Sequence, residues 1–577
     1  MTRPRPCEYA PQSQLRTVLY MGPEPAVFGR LVDAMAQTEG ARRLSSDTEP
    51  VVAYLGTELQ WLPAYDTAEA VAMLESMYVN LVVLDVRWQD DFEARVAEVR
   101  RLLTELDHEE DIEQRYGFHR IVALVSGPDA KRVDTLIVEL GATGVRHVLR
   151  DSGPTGAAGS PRNAPLSERL LQTAWELTRT RKVGKTALCA SGGGITGIYF
   201  EMGVLKCIDD CLLDASVNDF DMMFGISAGA VVTSLLSVGY TVDEAMASFA
   251  GVPGGRMPEV TLSLLRLSHL NLEGMGWRLA SAMRSGVHAL WDVLRGRGRE
   301  SAESLFLEYT SLVGPPFHSA EFEVMLRNLF DAAGSDNDFR SLPLELYIGA
   351  SDQDARRHVL FGADRHDTIP VSKAVQASLS VNPAFSAVQI DGRFYEDGAI
   401  TRTSDFADAV ERGATLVFTL DPFVPYVSER PGVAHRRGVL YNIDQDIRTM
   451  SFTRFERQRN SVLRKNPGVS SYTILPSNTL RQLLSMNPMD HRPYLRIWRG
   501  AYLSSLRRIH QLCHRLQGDL AEHGMTIDTS RADTIAEQLR NQAEPKFEDF
   551  FLDRQVKIRT RPFMQSRQRP DLVSTRP

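Results

Sequence analysis

Two short apolar runs, each ending in a glycine turn that opens at once into a helical pattern, constrain this chain more than any other feature. In the first, Thr186–Ala190 leads into Gly192, Gly193 and Gly194. In the second, Phe220–Phe224 leads into Gly225-Ile226-Ser227-Ala228-Gly229 and an apolar helix. A strand that turns sharply into a helix is the building unit of a parallel α/β sheet. Such a turn also gathers backbone N–H groups at a helix N-terminus, where they attract an anion. Gly192, Gly194 and Gly197 satisfy G-x-G-x-x-G, so the cradle suits a dinucleotide pyrophosphate or, equally, the oxyanion of an acyl-transfer intermediate. The second turn is G-x-S-x-G between strand and helix, the setting of a nucleophile elbow that lifts Ser227 clear of the backbone. The N–H of Ala228 then faces the glycine cradle.

A hydroxyl nucleophile needs a base. Downstream, the short strand Arg393–Tyr395 ends in Asp397-Gly398, a pair that also suits a plain turn. Three readings follow from the residues alone. Asp397 is the base for Ser227. Or a Ser-Asp-His order holds, with His435, His491 or His510 as the third member. Or Gly192–Gly197 binds a dinucleotide, with Asp210 or Asp214 near the ribose position.

Taken in order, Gly192-Gly193-Gly194-Ile195-Thr196-Gly197, Gly225-Ile226-Ser227-Ala228-Gly229 and Asp397-Gly398-Ala399 resemble the patatin-like phospholipases over residues 183–480. Glu201–Leu205, LELYIGASDQ (344–353), ASLSVNPAF (377–385) and FADAVERGATLVFTLDP (406–422) add to the likeness. The resemblance implies a three-layer α/β/α domain that hydrolyses acyl esters of phospholipid or lysophospholipid, with Ser227 and Asp397 as a dyad. It also implies an oxyanion hole at Gly192, Gly193, Gly194 and Ala228, and neither cofactor nor metal. Two departures stand out: Thr196 replaces a basic residue, and Thr401-Arg402-Thr403-Ser404 replaces an Asn-Pro segment.

The front of the chain alternates strand and helix signals at 16–22, 67–77, 80–86, 121–126 and 145–149, the pattern of a second α/β domain. At YDTAEAVAMLESMYVNLVVLDVR it resembles the receiver domain of response regulators, with Asp85 at the phosphoacceptor position. The acidic residues expected after the first strand are replaced by Met21-Gly22-Pro23 and the lysine after the fifth strand by Arg150, so a degenerate pseudo-receiver with Asp85 as a plain strand-end aspartate is expected. The expected organisation is a receiver-like domain at 1–150, a Gly/Pro/Ser-rich linker at 151–165 and the hydrolase domain at 166–480. A helical extension at 481–545 and a basic, flexible tail at 546–577 complete it.

Composition narrows the partners. The 577 residues carry 65 basic and 73 acidic side chains, a net charge of −8, which is no footprint for nucleic acid. Five cysteines (Cys7, Cys189, Cys207, Cys211, Cys513) are too few and scattered for a disulfide framework. The uncharged stretch Met222–Val242 is as long as a bilayer span but reads better as strand, turn and buried helix. Residues 1–14 lack an apolar signal core, so a cytoplasmic protein is expected, touching the inner face of a membrane peripherally. An insertion at 254–315, where Trp277, Leu279, Met283, Val287, Leu290, Trp291 and Leu294 recur among arginines, suits either a core-packed helix with a solvated face or an interfacial lid, and the tail either a disordered end or a contact with anionic headgroups. A partner or a second copy docking on the front domain is the expected means of regulation.

Overall fold

Every second residue of the apolar runs at the front of the chain belongs to a different core, and this divides the first unit into layers. The computed structural model describes residues 15–561 except 45–49, 78, 88–91, 109–117, 128, 152–163, 179–183, 214, 261–318, 364–365, 382–384, 429, 467 and 487–489. The chain forms two units, Met1–Val183 with Ile509–Asp528, and Gly184–Arg508 with Thr529–Pro577.

In the first unit the order is β1 (Leu15–Met21), α1 (Pro25–Ala36), β2 (Ala41–Arg43), β3 (Val51–Tyr54), β4 (Thr57–Ala64), α2 (Thr67–Ser76), β5 (Leu81–Arg87) and α3 (Phe92–His108). Then come β6 (Ile121–Ser126), α4 (Ala130–Thr143), β7 (His147–Arg150) and α5 (Leu166–Thr178). Val82, Leu84 and Val86 of β5 and Ile121, Ala123 and Val125 of β6 enter one core. Leu81, Val83, Val122 and Leu124 enter the other. Strands covered on both faces read as unbroken apolar runs for this reason. Among the described residues the sheet order is β2-β3-β4-β1-β5-β6-β7. Its parallel part, β4-β1-β5-β6-β7, has the order of flavodoxin-like doubly wound sheets.

One expectation changes here. The sequence puts helix α5 in the hydrolase domain, but Leu170, Leu171 and Ala174 are buried in the front core, so the boundary falls after Thr178. Most of the expected linker (152–163) lies outside the described residues. Asp85 stands near the end of β5 and is only 2% exposed. Arg87 Nε and Nη2 grip its two carboxylate oxygens at 2.9 and 2.8 Å, and the Tyr20 hydroxyl donates to it at 2.6 Å. Its oxygens are occupied, so Asp85 is an anchor and not an accessible phosphoacceptor.

The second unit runs β8 (Lys185–Ala190), α6 (Gly194–Cys211), β9 (Met222–Ile226), α7 (Ala228–Ser237), α8 (Val242–Ala250), α9 (Ala320–Ala332), β10 (Glu345–Asp352), β11 (Arg357–Phe361) and α10 (Val371–Ser378). It continues β12 (Val388–Ile390), β13 (Arg393–Asp397), α11 (Phe406–Glu411), β14 (Ala414–Leu420), α12 (Val439–Lys465), β15 (Ser470–Ile474), α13 (Asn478–Met486), α14 (Tyr494–Glu522), whose residues from Ile509 on belong to the first unit, and α15 (Ser530–Arg540). Strands β10-β9-β8-β14-β15 are parallel neighbours, and β13, β12 and β11 add antiparallel pairs beside β10. Ala187, Cys189, Met222 and Phe224 pack under Phe406 and Phe455 of α11 and α12. On the opposite side Gly229 of α7 sits against the Ala190 backbone, where a Cβ would collide.

Helix α6 is buried on every side. Its Gly203 lets α14 approach, since a Cβ there would lie 2.8 Å from Ala501. Farther along, Lys206 is fully buried between Asp210 and Asp243, each at 3.0 Å. Arg559 reaches Asp209, Asp210 and Asp243, and Arg531 reaches Asp210. Three cations thus meet three carboxylates, which buried charges require. This corrects the expected tail at 546–577. Phe547 and Phe550 are buried, Arg559 and Arg561 are ion-paired to α6, α8 and Asp219, and 562–577 lie outside the described residues. Most of the insertion at 254–315, from 261 onward, also lies outside them. No described helix is long and apolar enough to cross a membrane.

The Asp85 anchor gives a test. Asp85→Ala leaves Arg87 without its buried partner and should cost the first unit about 3 kcal/mol in urea unfolding. A small acyl phosphate should leave wild-type Asp85 unlabelled by mass spectrometry.

Candidate active site

Ser227 stands between β9 and α7 with φ 53° and ψ −115°, a left-handed conformation that few non-glycine residues adopt. Its neighbours explain how the turn closes. A Cβ on Gly225 would lie 2.6 Å from Ala230 Cα, and one on Gly229 would strike Ala190. The Ser227 N–H donates to Ser378 Oγ at 2.8 Å, and that hydroxyl donates to the Gly349 carbonyl at 2.6 Å. One buried side chain of α10 thereby fastens the elbow to β10. Gly229 N–H donates to the Ser191 carbonyl, tying the start of α7 to the end of β8.

Asp397 closes β13 and is 2% exposed. Its carboxylate lies beside the Ser227 side chain, which acts on it electrostatically, and accepts from Ala399 N–H at 2.8 Å. Burial pushes its carboxyl up to about 6, against the lowering effect of Ala399 N–H and the Ser227 side chain. The antiparallel pairing of Asp397 with Ala350 and its N–H bond to the Ser380 carbonyl set the backbone. Strand β10 lies between β9 and β13, so one strand aligns the ends that carry Ser227 and Asp397.

The glycine loop meets this pair directly. A Cβ on Gly192 would lie 3.2 Å from Ser227 Cβ and 3.6 Å from Ala399 Cβ. One on Gly197 would lie 3.2 Å from Ala228 Cβ, so the first turns of α6 and α7 adjoin. Pro422 packs on the far side, 2.7 Å from where a Gly193 Cβ would stand. Helix-start N–H groups have no intrahelical partner. Those of Gly193, Gly194 and Ala228 donate to no acceptor among the described residues. Two helix N-termini therefore adjoin beside one serine, and their dipoles favour negative charge there. Thr196, where a basic residue was expected, is buried and donates to the Gly193 carbonyl.

Beneath Asp397 lies a polar buttress that the sequence did not single out. Ser351 Oγ donates to the Asp397 carbonyl at 2.9 Å and is 2.8 Å from Thr401 Oγ1. His358 Nδ1 is 3.0 Å from the same Thr401 oxygen, and its Nε2 lies 2.8 Å from the fully buried Asp405. Gly349 leaves the room for this, as a Cβ there would be 2.6 Å from Asp405. The unusual Thr401–Ser404 segment thus supplies the link between His358 and the loop. Arg454 of α12 donates to the carbonyls of Ala399 and Ile400 at 3.0 and 3.1 Å.

The other readings fare differently. His435 and His491 are exposed, and the groups acting on Asp397 include no histidine. His510 belongs to the other unit. Asp210 is consumed by Lys206, Arg531, Arg559 and the Tyr502 hydroxyl, leaving nothing for a ribose, and Asp214 lies outside the described residues. Among the described residues no group of three His, Cys, Asp or Glu side chains has metal-holding geometry.

Residues 188–410 match the family model described as patatin-like phospholipase, so the chain carries a domain of that kind. A curated relative, the cUMP-AMP-activated phospholipase of Escherichia coli, is 42% identical over 57 residues. That match takes in 10% of this chain and 18% of the relative's length. Among solved structures, VipD from Legionella pneumophila overlaps 44% of this chain and 52% of its own at 15% identity and a TM-score of 0.25. The type III effector protein ExoU overlaps 62% and 63% at 14% identity and a TM-score of 0.23. Both overlaps are too loose to carry fold or activity across.

The raised Asp397 carboxyl has a consequence for stability. Below pH 3.8, its ordinary value, folded and unfolded states both hold the proton. From there to about pH 6 the wild type loses stability, because only the unfolded chain ionises freely. Asp397→Asn removes that penalty. It should unfold about 3 kcal/mol later than wild type at pH 8 and about equally at pH 3.5, read by denaturant melts.

Proposed function

We propose that this protein hydrolyses fatty acyl esters of phospholipid or lysophospholipid through an acyl-enzyme, with Ser227 as nucleophile and Asp397 as its base. The observation that carries the reading is a serine on a strained elbow whose side chain acts on a buried aspartate, beside two converging helix N-termini. In the first half-reaction Asp397 takes the Ser227 proton as the oxygen attacks the ester carbonyl. The carbonyl oxygen gains negative charge and is held by the N–H groups of Gly193, Gly194 and Ala228, with Gly192 leaving room beside Ser227. Asp397 then gives the proton to the departing alcohol or lysolipid. In the second half-reaction Asp397 takes a proton from water, which attacks the acyl-serine; fatty acid leaves and Ser227 recovers its proton.

A carboxylate at its ordinary value is a weak base, and the burial that lifts Asp397 to about 6 brings it nearer to working pH. The oxyanion donors are main-chain groups, so no side-chain change removes them directly; losing one typically costs about 10²–10³ in rate. The match at 188–410 to a phospholipase family supports a lipid ester as substrate.

Assays of wild type, Ser227→Ala and Asp397→Asn test this together. Wild type should release fatty acid from phospholipid and react with a fluorophosphonate at Ser227. Both variants should lose ester hydrolysis by about 10³ or more, the scale of removing a nucleophile or its base. Wild-type kcat/KM should rise with pH through about 6, as Asp397 sheds its proton. A profile that falls over that range, or an active Ser227→Ala, would refute the dyad.

A further inference from the structure

Helix α12 holds the site from behind with one face and exposes an apolar line on another. Its buried face carries Arg448, which reaches the Pro422 carbonyl, and Ser451, whose carbonyl accepts from Thr403. At intervals of four, three and four residues along an adjacent face stand Ile443, Ile447, Met450 and Arg454. That spacing keeps them in one stripe. Ile443, Ile447 and Met450 are 48%, 44% and 64% exposed, large for side chains of this kind on a folded surface. The stripe runs into Arg454, which clamps the carbonyls just after Asp397, and Ile400 there is 43% exposed and continues the apolar surface.

Charge surrounds the line unevenly. Arg430, Arg436 and Arg437 are exposed before the helix, with Arg437 lying over the Tyr441 ring. Arg454 and Arg457 are exposed at the other end, against Asp446 and Glu456 as exposed acids; Asp444 is paired to Arg448. On a protein of net charge −8, a surplus of arginine around an exposed apolar stripe is a local reversal. Apolar residues flanked by cations are what an anionic bilayer surface binds: side chains enter the acyl boundary while arginines meet headgroup phosphates. We infer that the exposed face of α12, with Ile400, docks this protein on an anionic phospholipid surface and brings the Asp397 loop onto it. The inference rests on the hydrolase reading only for its purpose, delivery of lipid to Ser227.

Flotation of the full-length chain with phosphatidylcholine vesicles, with and without added phosphatidylglycerol, tests docking. Hydrolysis of the same vesicles and of water-soluble p-nitrophenyl butyrate is followed in parallel. Wild type should float with the phosphatidylglycerol vesicles and be released by salt. The double variant Ile447→Glu, Met450→Glu should lose about tenfold or more in vesicle binding and vesicle hydrolysis, with butyrate turnover unchanged. Arg436→Glu with Arg437→Glu should lose the preference for phosphatidylglycerol. Wild type that does not float, or apolar variants that float like wild type, would overturn the inference. So would equal losses on vesicles and butyrate, or variants that only split a dimer of the chain. A wild type that floats but hydrolyses neither ester would sink the hydrolase reading and leave the docking surface standing.

Discussion

The backbone of Ser227, held at φ 53° and ψ −115°, is the constraint on which the rest of the second unit depends. A non-glycine residue in such a region costs of order 1–3 kcal/mol and persists only where its surroundings over-determine it. They do so here from three directions. Gly225 and Gly229 allow contacts that any Cβ would forbid. Ser378 takes the serine N–H, which leaves Ala228 N–H as the first free donor of α7. The bond from Gly229 N–H to Ser191 fixes the elbow against the strand that carries the glycine loop. The strained turn and the second helix start are therefore one assembly.

Burial of α6 is the complementary requirement. A helix whose first turn must face a reacting centre has to be held firmly, and α6 is held by contact on all sides and by balanced ion pairs at its far end. The C-terminal segment contributes to this through Arg559, so residues remote in sequence from the glycine loop help hold the helix that the loop starts. Beneath Asp397, the chain from Asp405 through His358, Thr401 and Ser351 plays the same role for the carboxylate.

Much of this was legible in the sequence because glycine and apolar runs report backbone geometry directly. The elbow at Gly225–Gly229, the loop at Gly192–Gly197 and the strand before Asp397 all stand at the expected places. Residues defined by tertiary contact were not legible. Ser378 and His358 carry no local signal; only the fold shows what they touch. The hairpin of β2 and β3 escaped notice because Ala41–Arg43 is short and polar, as edge strands are. The side to which helix α5 belongs is not legible, because its buried face names no partner by itself. The apolar stripe on α12 is not legible either, because the helix is polar taken as a whole and three exposed residues do not disturb that average.

The central claim is spatial: the main-chain donors of two helix starts and one buried carboxylate surround a single hydroxyl. A crystal structure of the protein after reaction with a fluorophosphonate tests it most directly. The account predicts phosphorus bonded to Ser227 Oγ and a phosphoryl oxygen about 2.7–3.1 Å from the N–H groups of Gly193, Gly194 and Ala228. An adduct whose phosphoryl oxygen turns away from all three, or one formed on another residue, would contradict it.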